Sequence, residues 1–110
     1  MFDARRLPTF REVARRGSFA AAADALWLTP SAVSQQMAAL EREVGAKLFE
    51  RNHRGVRLTA AGARLLAHAD ALLDRLAQAE ADLERGPEQR MDPLRLGSLG
   101  GGRVIFAGWP

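Results

Sequence analysis

Two short helical patterns with only Trp27 and Leu28 between them constrain this chain more than anything else in it. They lie in the stretch from Gly17 to Arg51, GSFAAAADALWLTPSAVSQQMAALEREVGAKLFER. Phe19, Ala22, Ala23 and Leu26 recur at i, i+3, i+4 and i+7, the spacing of one helix face, and Ser18 is placed to cap that helix. Its alanines make a thin surface, which a second helix can cross closely. Thr29 then offers an N-cap oxygen, and Pro30 takes the first helical position, where a backbone N–H would go unused anyway. Val33, Met37, Leu40 and Val44 form the apolar stripe of this second helix, and Gly45 is its expected left-handed stop. The pattern predicts two helices crossing about a tight turn.

The other face of the second helix is unusual. Ser31, Ser34, Gln35 and Ala38 share it, and none is charged. A solvated face ordinarily carries Lys and Glu. Short polar side chains let a helix backbone approach base edges in a major groove and still exchange hydrogen bonds there. The residue types therefore point to a DNA-reading helix.

The flanks extend the pattern. Leu7, Phe10, Val13 and Ala14 predict a preceding helix stopped by Gly17, capped by Asp3 or starting nearer Leu7, since Pro8 falls late for a cap at Asp3. Arg5, Arg6, Arg11, Arg15 and Arg16 dress it as a solvated side, with one or two expected to reach phosphates. After Gly45 the period changes to two short strands, Lys47 to Arg51 and Gly55 to Leu58, around a turn at Asn52, His53 and Arg54. A positive hairpin tip of this kind can lie on phosphates or enter a minor groove, so Arg54 is the first candidate contact there and Arg57 the second. Arg51 is expected either to contact DNA or to make a structural ion pair with a nearby carboxylate, the second being at least as well supported. His53 stands alone on the turn and reads as solvated or phosphate-touching.

Thr59 caps a long helix running to about Arg85. Leu65, Ala69, Leu72, Leu76, Ala79 and Leu83 step alternately by four and three, an a/d seam of nearly three heptads that predicts pairing with a second copy, the alternative being packing of its N-terminal part onto the chain's own first helix. Leu66 and Leu73 widen the apolar stripe. Gly86, Pro87, Glu88 and Gln89 read as a hinge, Pro93 to Gly97 as a strand, and the glycine-rich remainder as a tail. The expected fold class is mainly α: three helices plus a two-stranded wing over 1–58, a dimerisation helix over 59–85, and a hinge with a short remnant over 86–110.

Composition narrows the function classes. The 110 residues carry a formal charge of +3, with a sequence pI of about 10.9. That suits a phosphate-bearing partner. There is no cysteine, hence no disulfide frame or thiolate metal site. No stretch reads as a signal peptide or a membrane span, so a cytoplasmic, nucleoid-associated location is expected. His53 and His68 fall on separate elements, and no serine has a partnered base. Gly100–Gly102 lacks the Lys-Ser or Lys-Thr and the helix of a phosphate-binding loop. Neither an enzyme nor a cofactor is expected.

Taken in order, the markers resemble the N-terminal DNA-binding region of LysR-type transcriptional regulators. They are Leu7 and Phe10, Gly17-Ser18-Phe19, Ala22-Ala23, Leu26, Ala32-Val33-Ser34, Leu40-Glu41, Gly45, Leu48-Phe49 with Arg51, and Leu58-Thr59 with Gly62. The resemblance covers about Leu7 to Gly97. It implies a winged helix-turn-helix followed by a linker helix, with the linkers of two chains pairing antiparallel over two half-sites of a partly palindromic operator. Higher oligomers occur in such a family. Matching positions put Pro30, Ser31, Ser34, Gln35 and Gln36 near the groove and Arg54 at the wing; Thr29 and Arg57 complete the candidate DNA-binding set. Pro30 and Ser31 would touch thymine methyls, Ser34 a phosphate or base edge, and Gln35 an adenine. Gln35 departs from the family, where arginine is frequent at its position, and Trp27 departs as a large residue in the turn, expected to be partly exposed. The family's effector-binding domain is not read in these residues, so no small-molecule effector site is expected. The alternative reading is a shortened regulator acting through mixed dimers with an intact relative.

Overall fold

The computed structural model describes residues 1–85; the hinge, strand and tail expected over 86–110 lie outside the described residues. A 3-10 turn, Ala4–Arg6, leads into α1 (Leu7–Arg16), followed by α2 (Phe19–Leu26) and α3 (Pro30–Val44). The hairpin β1 (Phe49–Asn52) and β2 (Gly55–Leu58) comes next, then α4 (Ala60–Arg85). This is the winged helical fold that the sequence pattern predicts.

Local chemistry sets the boundaries. Asp3 caps the 3-10 turn by accepting from the Arg5 amide at 2.9 Å, not α1 itself. The α-helix begins at Leu7, so Pro8 falls in its first turn, where proline is tolerated. Ser18 accepts from Ala21 N–H at 3.1 Å and Thr29 from Ala32 N–H at 3.0 Å, the two expected N-caps. Gly17 and Gly45 close α1 and α3 in the left-handed region, at φ 71° and 75°. Thr59 Oγ1 accepts from Gly62 N–H at 3.0 Å and donates to the Lys47 carbonyl at 2.6 Å, joining the start of α4 to the approach to β1.

Leu7, Phe10 and Val13 of α1 are buried with Ala22 and Ala23 of α2, Val33, Met37 and Leu40 of α3, Leu48 before the wing and Phe49 at the start of β1. Phe49 anchors the hairpin: its ring lies 5.4 Å from Phe10 and meets Phe19 edge-on at 6.1 Å. The strands pair antiparallel, Phe49 with Leu58, Glu50 with Arg57, Arg51 with Val56 and Asn52 with Gly55. Pairing starts at Phe49, two residues later than expected. Leu48 N–H and Phe49 N–H are instead held by Glu41 Oε2, at 2.8 and 3.3 Å, so the chain before Phe49 serves the end of α3. The wing is also tied to α1 by Val56 N–H donating to the Gly17 carbonyl at 3.0 Å.

Ala69 corrects the expected seam. It is fully buried within its own chain, so it belongs to the internal packing of α4. Next to it, Asp70 takes ion pairs from Arg11 and Arg15 of α1, each at 3.7 Å.

Candidate nucleic-acid interface

The turn between α2 and α3 is closed by Trp27, whose φ of 60° makes it the one non-glycine residue at positive φ among the described residues. Trp27 N–H bonds the Ala23 carbonyl, and Leu28 N–H shares the same acceptor at 2.9 Å. Trp27 is 94% exposed, more than the partial exposure expected.

This turn sets the start of α3 in solvent. Thr29, Pro30, Ser31 and Gln35 are exposed, and neither Ser31 nor Gln35 makes a side-chain hydrogen bond among the described residues. Ser34 is half-buried on the flank facing the wing, where its Oγ accepts from Arg51 Nη2 at 3.1 Å. Gln36 is half-buried as well. Five residues on from Ser31, it is turned about 140° around the helix. The structure therefore brings Thr29, Pro30, Ser31, Ser34 and Gln35 to one side and leaves Gln36 off it.

At the wing tip His53 and Arg54 form a two-residue loop, and Asn52 Oδ1 holds it by accepting from Arg54 N–H at 2.8 Å. Arg54 is exposed, and its guanidinium has no carboxylate partner among the described residues. Arg57 lies opposite Glu50 and pairs with it at 3.9 Å. This partner lowers the charge Arg57 has left to offer.

Arg51 does not pair with a carboxylate among the described residues. Its guanidinium lies over the Phe19 ring, 4.6 Å from the centroid, while it donates to Ser34. The arginines of the 3-10 turn and of α1 are also spoken for. Arg5 and Arg6 pair with Asp3, Arg6 also with Glu43, Arg11 and Arg15 with Asp70, and Arg16 with Glu12. The Arg5 guanidinium hydrogen-bonded to Asp3 holds that carboxyl below its ordinary pKa, and Asp3 in turn raises Arg5.

Sequence reasoning missed Arg42. It is exposed and lies seven residues beyond Gln35, two turns along the same face of α3, with no ion pair among the described residues. Its signal was the spacing, had the face been extended past Ala38. No group of three or more His, Cys, Asp or Glu residues is placed to hold a metal among the described residues. No described helix is long and apolar enough to cross a membrane.

Residues 4–63 match the family described as bacterial regulatory helix-turn-helix protein, lysR family. The chain is 44% identical over 93 residues to the HTH-type transcriptional regulator YofA of Bacillus subtilis (strain 168), covering 84% of this chain and 32% of YofA. It is 48% identical over 80 residues to the HTH-type transcriptional regulator HdfR of Yersinia pestis (strain Pestoides F), covering 71% of this chain and 27% of HdfR. It thus spans about a third or less of the length of these curated relatives. The structure is similar to that of CbnR_DBD in a CbnR_DBD–DNA complex, with a TM-score of 0.69 and 42% identity over 76% of this chain and 95% of that one. It is also similar to BenM_DBD in complex with catB site 1 DNA, with a TM-score of 0.73 and 33% identity over 76% and 94% of the two chains.

Proposed function

From the premise that this chain belongs to the LysR family of bacterial regulatory helix-turn-helix proteins, we propose that it binds operator DNA sequence-specifically, as the reading module of a dimeric transcriptional regulator. The observation that carries this is the exposed, uncharged start of α3 together with an exposed Arg54 at the wing tip that has no ion pair among the described residues. A helix N-terminus with small side chains fits a major groove, and a guanidinium on the two-residue tip of the hairpin fits phosphate or a narrow minor groove. That similar solved domains were captured with DNA supports the reading.

In this reading Thr29, Pro30 and Ser31 line the groove entrance, and Ser34 and Gln35 meet base edges or phosphate. Arg54 contacts the backbone or minor groove, with Arg57 secondary and Gln36 peripheral. Arg42 adds a phosphate contact. Affinity arises mainly from arginine–phosphate contacts and falls with salt, while the α3 face and DNA shape supply specificity.

Dimerisation uses the seam of α4 without Ala69. Leu72 and Leu83 are 49% and 54% exposed, Ala79 is exposed, and Leu65 and Leu76 are half-buried. Exposed leucines at heptad spacing are covered most simply by the same helix of a second copy. Antiparallel pairing then presents two reading heads to two half-sites. The role is non-enzymatic and cytoplasmic.

Selection from a pool of random duplex DNA at moderate salt tests the proposal. A two-fold-related motif with half-sites about one helical turn apart, or a multiple of that, is the expected result. No enrichment by a folded chain overturns it.

A further inference from the structure

Ser34 and Arg51 lie on different elements, yet a single hydrogen bond of 3.1 Å joins them. The guanidinium that makes it is held over the Phe19 ring at 4.6 Å. Phe19 is in turn set edge-on against Phe49, which is buried. The donor aimed at Ser34 is therefore fixed by the framework of the domain and not by a freely rotating side chain.

The chemistry of this pair has a direction. A guanidinium only donates. Ser34 Oγ must accept from it, which occupies one of its two lone pairs and leaves its own O–H to donate elsewhere. The adjacent positive charge polarises the hydroxyl and strengthens it as a donor.

We propose that Arg51 is a positioning residue that fixes Ser34 as a hydrogen-bond donor toward DNA. This inference rests on the DNA-reading function above. It restricts the Ser34 hydroxyl to acceptors: phosphate oxygens or, on base edges, purine N7, guanine O6 and thymine O4. The exocyclic amino groups of adenine and cytosine are donors and are disfavoured. Arg51 thereby links the wing to the reading face without itself touching the nucleic acid.

The test is a double-mutant cycle on the duplex that the native chain recovers from the random pool. Arg51→Met keeps apolar bulk and a sulfur contact on Phe19 but removes the donor and the charge. Arg51→Met and Ser34→Ala are each expected to weaken binding about five- to tenfold, and the double variant no further than either alone. Arg51→Lys, which keeps a charge and a donor without the planar fork, is expected to fall between native and Met. If Arg51→Met does not fold by thermal melt, Arg51→Lys takes its place in the same cycle. Losses that multiply in the double variant overturn the proposal. So does a salt slope that drops by about one on the Ser34→Ala background, because Arg51 would then sit on phosphate. Within a coupled result, relaxation of one motif column identifies a base acceptor, and an unchanged motif identifies phosphate. A folded native chain that recovers no motif overturns the DNA reading itself, whereas a recovered motif with uncoupled losses overturns only the role of Arg51.

Discussion

Replacing Gly62 by alanine reverses the usual effect of that substitution in a helix. In an unhindered helix the change stabilises by about 1 kcal/mol. Here a methyl group on Gly62 overlaps the Leu48 carbonyl oxygen and comes within 2.9 Å of Leu58 Cδ2. The leucine end can rotate aside, but the carbonyl is backbone. It also accepts from Thr59 N–H at 3.0 Å, and Leu48 N–H is held by Glu41. Relieving the overlap means lifting the first turn of α4 from the chain before β1. Overpacking of this kind costs about 1–3 kcal/mol, and the strained Thr59 bond adds about 1 kcal/mol. Against the propensity gain the net loss is about 2 kcal/mol, or roughly 8–16 °C in melting temperature for a domain of this size. Circular dichroism melts at one fixed protein concentration measure it, since the proposed dimerisation would make the melting temperature concentration-dependent. Ala67→Gly, at an exposed position of the same helix, is the control and should lose only about 1 kcal/mol. A Gly62→Ala chain that melts at or above the native temperature, with the control behaving normally, refutes the steric argument.

Trp27→Gly should stabilise the domain by about 0.5–1 kcal/mol in the same melts, because glycine adopts the left-handed cap without strain and a fully solvated ring has no burial to lose. Asp3→Asn keeps a capping oxygen but loses the charge paired with Arg5 and Arg6. The native carboxyl has a lowered pKa, so its contribution is present above the unfolded-state value and lost as pH falls through the folded one. The melting-temperature gap between the two chains should be small at neutral pH and close in acid; a gap that widens on acidification contradicts that sign. Replacing Leu72 and Leu83 together by Asp should convert a dimer to monomer in sedimentation analysis, and a persisting dimer would move the interface elsewhere.

Most of the fold was legible because it is written locally. Thr29-Pro30, the stops at Gly17 and Gly45, the Val33/Met37/Leu40 stripe and the hairpin turn each depend on residues within a few positions of one another. What the sequence hid depends on approach between distant segments. Nothing near Arg51 marks Phe19 and Ser34 as its neighbours, and a carboxylate partner was the reasonable expectation for an arginine on a strand. Arg6, Arg11 and Arg15 gain partners from distant segments only when Glu43 of α3 and Asp70 of α4 arrive. Ala69 fits a heptad as well as Leu65 does, and only its burial assigns it to the chain's own interior. The strand start at Phe49 was misjudged because Glu41 competes for the amides of Leu48 and Phe49.

The division of labour along α3 has an evolutionary consequence. Its C-terminal half is bolted down: Glu41 holds the amides leading into the wing, and Glu43 accepts from Asp3 N–H at 2.9 Å and pairs with Arg6. At the N-terminal end, Ser31 and Gln35 hold nothing in place. Mutations there should be thermodynamically quiet, so on the proposed reading drift or a laboratory library at these two positions can explore new operator sequences while the rest of the scaffold stays constant. On that reading one helix contains both a fixed chassis and an exchangeable address.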